Sequence, residues 1–144
     1  MKRFEIIEHP ADVGFLAYGG SLQELFENAA LALCSLACPA NEVQECARCE
    51  VLATAAELES LLYAWLAEIL AIADADQIVF RRVEVLALTE PHAGAAGEVR
   101  GVAYGEPFNR ERHAAGTYIK AVTLHQFAIE CTGQGYRARV FLDL

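Results

Sequence analysis

The sequence contains few basic residues and no long apolar run, and each shortage excludes a class of protein. Lysine and arginine number 11 against 20 aspartate and glutamate residues, which gives a formal net charge of -9. A surface of this sign repels a phosphate backbone, so direct nucleic-acid binding is not expected. No apolar stretch is long enough to span a bilayer, and charges stand where a signal peptide has its apolar region. We therefore expect a soluble, cytoplasmic protein without membrane contacts.

The chain also lacks internal repeats, low-complexity segments and complete catalytic motifs. Its 144 residues are 55% hydrophobic, enough for one core and too few for two ordinary domains, so we predict a single domain over residues 1–144. There is no glycine-rich phosphate loop, nucleophile elbow or histidine-rich metal motif. The sequence therefore does not predict an enzyme.

The five cysteines are odd in number, which argues against a disulfide framework. Cys34 and Cys131 stand in apolar surroundings, where a thiol behaves as a small hydrophobe. A zinc site would need Cys34, Cys38, Cys46 and Cys49, spaced C-x3-C and C-x2-C. The first pair falls on a predicted helix, and the second pair would point to opposite faces of a strand. We therefore disfavour zinc.

The periodicity of apolar residues predicts strands and two amphipathic helices. SLQE at residues 21–24 is a capping box, and the apolar face that follows predicts a helix ending before Pro39. A wider apolar stripe predicts a second helix over residues 55–73. Strands are predicted at residues 3–9, 13–18, 78–80, 83–89, 98–104, 117–131 and 136–144, and residues 42–54 look extended. We predict an α+β fold with a mixed β-sheet packed with the two helices.

The two ends of the chain suggest a metal site. Asp12 lies in a turn between the first two predicted strands, and Asp143 stands beside the terminal carboxylate at the end of the last one. Hard cations bind clusters of oxygen ligands, whereas a lone carboxylate holds them poorly. If the two ends meet in space, their oxygens can bind calcium, magnesium or manganese. Read alone, Asp12 is as well explained by a hydrogen bond to its own turn.

Three separated motifs carry a resemblance to a known family. They are HPADVG at residues 9–14, GTYIKAV with Thr123 and His125 at residues 116–125, and the terminal LDL. The helix sequence SLQELFE at 21–27, ELESLLY at 57–63 and YGE at 104–106 extend the match over nearly the whole chain. Their order and spacing resemble the archease family.

The resemblance implies a non-catalytic protein cofactor of the GTP-dependent RNA ligase. This ligase joins 2′,3′-cyclic phosphate or 3′-phosphate ends to 5′-hydroxyl ends, as in transfer-RNA splicing. The family promotes guanylylation of the ligase's active-site histidine and its multiple turnover. The expected partner is therefore that ligase, while the sequence does not predict the oligomeric state.

By position, the resemblance also implies that Asp12, Asp143 and Leu144 bind a divalent cation. This cation is expected to be Ca2+ in a crystal, with Mg2+ or Mn2+ as alternatives in cells. Leu144 would contribute a backbone or terminal carboxylate oxygen. The chain has Pro10 where the family more often has threonine, and it ends in leucine instead of the usual isoleucine. Neither departure removes a proposed oxygen ligand, although Pro10 lacks a hydroxyl and a backbone donor.

Four further residues are candidates for supporting the metal or contacting a partner. Lys120 lies within an apolar run and can contact a phosphate or an acidic group. His9 and His125 can orient a carboxylate, although isolated histidines are more often structural. Glu57 stands where many relatives have aspartate.

Two other functions stay open, and the first of them uses the same residues. One is a small metal-dependent phosphoester hydrolase, in which His9 or His125 acts as the base. The other is a general chaperone or adaptor for RNA-modifying proteins. Assays of the chain alone and with the ligase distinguish them.

Overall fold

The computed structural model describes residues 2–8, 13–113 and 116–144. That part of the chain contains eight strands and two α-helices. The helices lie between strands near the start of the chain, and five strands follow in succession. This is an α+β arrangement, which confirms the predicted class. The strands are β1 (Phe4–Glu8), β2 (Val13–Gly19), β3 (Ala47–Ala55), β4 (Ile78–Thr89), β5 (Gly97–Pro107), β6 (Ala121–Val122), β7 (Ala128–Thr132) and β8 (Gly135–Asp143). The helices are α1 (Leu22–Ala37) and α2 (Leu58–Asp76), and a short 3₁₀ helix covers Ala40–Glu42.

Helix α1 begins at the predicted capping box. The Oγ atom of Ser21 accepts the backbone N–H of Glu24 at 3.2 Å, and Glu24 Oε1 accepts the N–H of Gly20 at 3.1 Å. These bonds satisfy backbone donors that the first helical turn leaves free. The helix ends at Ala37, just before Pro39, as the sequence predicts.

Helix α2 begins three residues later than predicted because β3 continues through Ala55. Its last residue is Asp76. The C-cap residue Gln77 follows with a left-handed φ of 52°, which stops the helix. Trp65 on this helix is fully buried, and its Nε1–H donates to the carbonyl of Phe26 on α1 at 3.2 Å. This bond ties the two helices together.

The strands form two antiparallel sheets, and the prediction of one mixed sheet is wrong. Sheet 1 has the order β1-β2-β8-β6, with β7 also beside β8, and sheet 2 has the order β3-β5-β4. Every strand pair among the described residues is antiparallel. Short turns can join only antiparallel neighbours, whereas a parallel pair needs a crossover of about a dozen residues or more.

The predicted strand at residues 117–131 is divided into β6 and β7. A continuous register from the pair Ala121 and Asp143 would bring Ala128 opposite Tyr136, but Ala128 pairs with Arg139. The intervening turn contains Gln126 at a φ of 51°, which a strand cannot accommodate. Conversely, the two strands predicted at 78–80 and 83–89 are one strand, β4, with two register irregularities.

The core lies between the sheets and around the helices. Helix α1 contacts β2 of sheet 1 and β4 of sheet 2, and α2 packs on β3. Buried residues of both sheets and both helices form one large hydrophobic cluster. Among the described residues, no helix is long and apolar enough to cross a membrane.

Candidate functional site

The end of β8 is held between two neighbouring strands. Leu142 pairs with Val13 of β2 on one side and with Val122 of β6 on the other. The backbone N–H of Lys120 donates to the carbonyl of Asp143 at 2.8 Å. Leu142 is 1% exposed, whereas Asp143 is exposed and Leu144 is 44% exposed. The last two residues therefore lie at the surface on an anchored strand.

Two predicted site residues, His9 and Asp12, lie outside the described residues. The proposed metal-binding set of Asp12, Asp143 and Leu144 therefore stays a prediction. Within residues 2–8, 13–113 and 116–144, no three His, Cys, Asp or Glu side chains are grouped to bind a metal. The described candidates do fit a hard cation in their chemistry, because the Asp143 carboxylate and the terminal carboxylate are exposed oxygen donors on adjacent residues.

Lys120 and His125 both lie beside the end of β8. Lys120 is exposed, and its backbone is bonded to Asp143. The hydroxyl of Thr123 donates to the carbonyl of Phe141 at 3.0 Å and accepts the N–H of His125 at 3.3 Å. The imidazole ring of His125 stands 5.7 Å from the Phe141 ring, centroid to centroid. The segment that follows Gly116 thus borders the chain terminus.

Glu57 lies at the start of α2. It is the exposed N-cap residue of α2, and its side chain makes no capping hydrogen bond. The predicted supporting role of Glu57 stays a prediction.

A buried polar cluster around Glu106 was missed by sequence reasoning. The Glu106 side chain is 5% exposed, and it accepts hydrogen bonds from the backbone N–H of Gln44 and from the guanidinium of Arg112. His113 is fully buried at its side chain, with Nε2 3.3 Å from Glu106 Oε2 and Nδ1 accepting the N–H of Asn109 at 2.9 Å. The cluster fastens the segment after β5 to the chain before β3.

The pKa of Glu106 is lowered to about 2, chiefly by the bond from the Gln44 N–H, which together with Arg112 and His113 outweighs the raising effect of burial. The carboxylate is therefore ionised over the physiological range. The signal in the sequence was a glutamate inside an apolar strand pattern, with an arginine and a histidine six and seven residues later. Those partners meet only because the intervening segment folds back.

The five cysteines occupy both buried and exposed positions. All five cysteines are free, and Cys34 is buried in α1, where desolvation raises the pKa of its thiol to about 12. Cys46 is exposed, whereas Cys34 and Cys38 are buried. Cys131 is also exposed, so its predicted apolar environment is wrong, because β7 lies at the edge of sheet 1.

Comparisons with known proteins agree with the fold and the motifs. The model of the archease protein family matches residues 4–144. The chain is 42% identical to the archease of Methanosarcina acetivorans, covering 99% of this chain and 97% of that protein. It is 35% identical to the archease of Sulfolobus acidocaldarius over the full length of both.

Two solved structures are similar. The solution structure of Methanobacterium thermoautotrophicum protein 1598 is 36% identical, has a TM-score of 0.83 and matches over 100% of both chains. The crystal structure of an archease from Thermotoga maritima, described as a possible chaperone, has a TM-score of 0.59 and 19% identity, with 96% of this chain and 94% of that one covered. The second similarity concerns the fold alone. The family match and the full-length relatives show that this chain belongs to the archease family.

Proposed function

We propose that this protein is a metal-binding, non-catalytic cofactor of the GTP-dependent 3′-phosphate/5′-hydroxyl RNA ligase of transfer-RNA splicing and RNA repair. It promotes guanylylation of the ligase histidine and repeated turnover in the cytoplasm. Family membership supports an assisting role, and the Thermotoga maritima relative is itself described as a possible chaperone.

One observation carries the proposal. The end of β8 is fastened on both edges, by the pairing of Leu142 with Val13 and by the bond from Lys120 to Asp143, and it presents two adjacent carboxylates to solvent. A free tail would lose conformational entropy on binding, whereas an anchored end has already lost it. Two oxygen donors at this anchored strand end, with a third from Asp12, the residue before Val13, make a ligand set suited to a hard cation.

In this proposal the acidic end enters the metal-rich active site of the ligase. When bound, the cation, Ca2+ in a crystal and Mg2+ or Mn2+ in cells, would supply positive charge for the phosphates of GTP during nucleotidyl transfer. Asp12, Asp143 and the Leu144 carboxylate hold the cation, while Lys120 contacts a phosphate or an acidic group. The net charge of -9 favours a protein partner over direct contact with RNA.

A guanylylation time course tests the proposal. Purified ligase is incubated with labelled GTP, with and without this protein, and the Asp143→Ala and Asp12→Ala variants are compared with wild type. Each variant should lose the stimulation while keeping a wild-type thermal midpoint. Glu98→Gln on the exposed face of sheet 2 is the matched control and should stimulate fully.

Full stimulation by both aspartate variants would reject the metal-dependent role. The chain is also assayed alone for phosphatase and nuclease turnover. Turnover that requires Asp143 would favour the hydrolase instead. Absence of any effect on the ligase, together with suppression of aggregation of other RNA-modifying proteins, would favour a general chaperone.

A further inference from the structure

A second surface feature lies where both helices end. An apolar pocket of about 270 Å3 opens there. Its walls come from the end of α1, the end of α2, the start of β4 and the loop segments after β5. The pocket lining includes Ala37, Leu70, Ala73, Ile78, Phe108 and Tyr118.

The walls of this pocket are fixed by backbone contacts. The N–H of Phe108 donates to the carbonyl of Gln77 at 2.8 Å, and the N–H of Thr117 donates to Leu36 at 3.0 Å. Gly116 passes so close to α1 that an added Cβ would lie 2.2 Å from the carbonyl oxygen of Ala37. Phe108 also stacks on His113, with ring centroids 5.7 Å apart. The pocket therefore exists before anything binds.

The size and lining of the pocket favour a single side chain as its occupant. The pocket volume of about 270 Å3 lies just below the roughly 300–1,000 Å3 typical of small-molecule sites. Tyr118 is 67% exposed and Phe108 is 39% exposed, so two aromatic rings stand at the opening. Exposed aromatic residues beside a preformed apolar pocket are typical of a protein interface.

The negative charges around the pocket opening indicate which residues should flank the inserted side chain in the partner. Asp74 is the one charged residue among the described residues that line the pocket, and Asp76 lies two residues later at the end of α2. Both helices end here, and neither has a basic residue in its last turn. Each helix C-terminus carries roughly half a negative charge. The nearby Arg110 and Arg112 line a separate cavity, and Arg112 is paired with Glu106.

We propose that this pocket receives one large apolar side chain, flanked by lysine or arginine, from a segment of the RNA ligase. The identity of the partner rests on the proposed function. The pocket wall at Tyr118 is two residues from Lys120, whose backbone is bonded to Asp143. A partner that reaches the acidic end of β8 therefore meets the pocket along the same stretch of chain. The pocket supplies affinity, and the acidic end supplies the metal.

The test fills the pocket without altering the metal site. Ala73→Leu adds apolar volume from a helical position that lines the pocket, and Ala75→Leu makes the same change at an exposed position two residues on. Binding to purified ligase is measured by biolayer interferometry. We expect Ala73→Leu to weaken the Kd at least tenfold and Ala75→Leu to change it less than twofold. Thermal midpoints and Mn2+ affinities should match wild type.

Two further variants probe the rim. Tyr118→Ser should weaken ligase binding severalfold, whereas Leu52→Ser, at a residue 55% exposed on sheet 2, should not. Asp74→Lys should weaken binding at low salt, with most of the difference lost at 0.5 M salt because exposed charges are then screened. A photo-crosslinker at position 118 should label a ligase segment that combines an apolar residue with lysine or arginine.

The outcomes separate this inference from the proposed function. Wild-type binding by Ala73→Leu and Tyr118→Ser would overturn the pocket while leaving metal-dependent stimulation intact. Loss of binding in those variants, with stimulation unaffected by Asp143→Ala, would support the pocket and reject the role of the metal. Failure of the wild-type protein to bind the ligase would overturn both.

Discussion

The backbone N–H of Lys120 donates to the carbonyl of Asp143 at 2.8 Å and so fastens the second-last residue of the chain to its neighbouring segment. Leu144 alone extends beyond this bond. The terminal carboxylate is therefore held one residue from an ordered sheet. Removing the last residue would move this carboxylate back along the strand, and such a change does not disturb the core.

Deletion of Leu144 should separate the role of the terminal carboxylate from that of the side chain. The deletion transfers the terminal carboxylate to Asp143, whereas Leu144→Ala keeps it at residue 144. We expect the deletion to weaken Mn2+ binding at least tenfold and Leu144→Ala to leave it unchanged, as measured by titration calorimetry. Because Leu144 is 44% exposed, both variants should keep a near wild-type thermal midpoint. Equal affinities for the two variants would contradict a ligand at the terminus.

Glu106→Gln should change the acid dependence of stability. The pKa of Glu106 is lowered to about 2 in the folded protein, below its ordinary value. Its ionised form therefore stabilises the fold fully above about pH 4.5, and this contribution is lost as the pH falls toward 2. We expect Glu106→Gln to be less stable at pH 7, with the difference from wild type narrowing at pH 3.

Urea unfolding at both pH values measures this difference. Glu111→Gln, an exposed substitution on the loop that follows β5, is the control and should follow wild type. If the difference in the free energy of unfolding between wild type and Glu106→Gln stayed constant with pH, the loss of stability would come from the lost contacts. It would then not come from the charge of the carboxylate.

Gly101→Ala should destabilise the packing of α2 on sheet 2. An added Cβ would lie 2.2 Å from the carbonyl oxygen of Glu84 and 2.6 Å from the Trp65 ring. Such overpacking costs about 1–3 kcal/mol in the free energy of unfolding. Gly133→Ala is the control, because a Cβ there meets nothing within 4 Å. Denaturant unfolding should show a loss for Gly101→Ala only, and equal stabilities would refute the close contact.

Ser21→Ala should remove the N-cap of α1. The Ser21 hydroxyl accepts the N–H of Glu24, and loss of such a cap costs about 1 kcal/mol. Ser60→Ala, at an exposed position in the first turn of α2, serves as the control and should be neutral or slightly stabilising. The two variants are compared by urea unfolding, where a neutral Ser21→Ala would contradict the capping role.

The candidate site was only partly predictable from the sequence. Asp143 and Lys120 were identified from motifs, and the structure brings their backbones together. The Glu106 cluster was missed because its partners come from Gln44, 62 residues away, and from a segment that folds back. The pocket was missed for the same reason, since Ala37, Ala73 and Tyr118 are far apart in the chain.

The sequence by itself determined the two helices, the α+β class and the final hairpin. Their signals lie within a few residues of each other: the bonds of Ser21 and Glu24 at the start of α1, the apolar stripe of α2 and the turn at Gly133. Tertiary structure decided the division into two antiparallel sheets and the three-residue register shift that separates β6 from β7. Strand partners are chosen by long-range packing, because any extended segment offers the same backbone donors and acceptors.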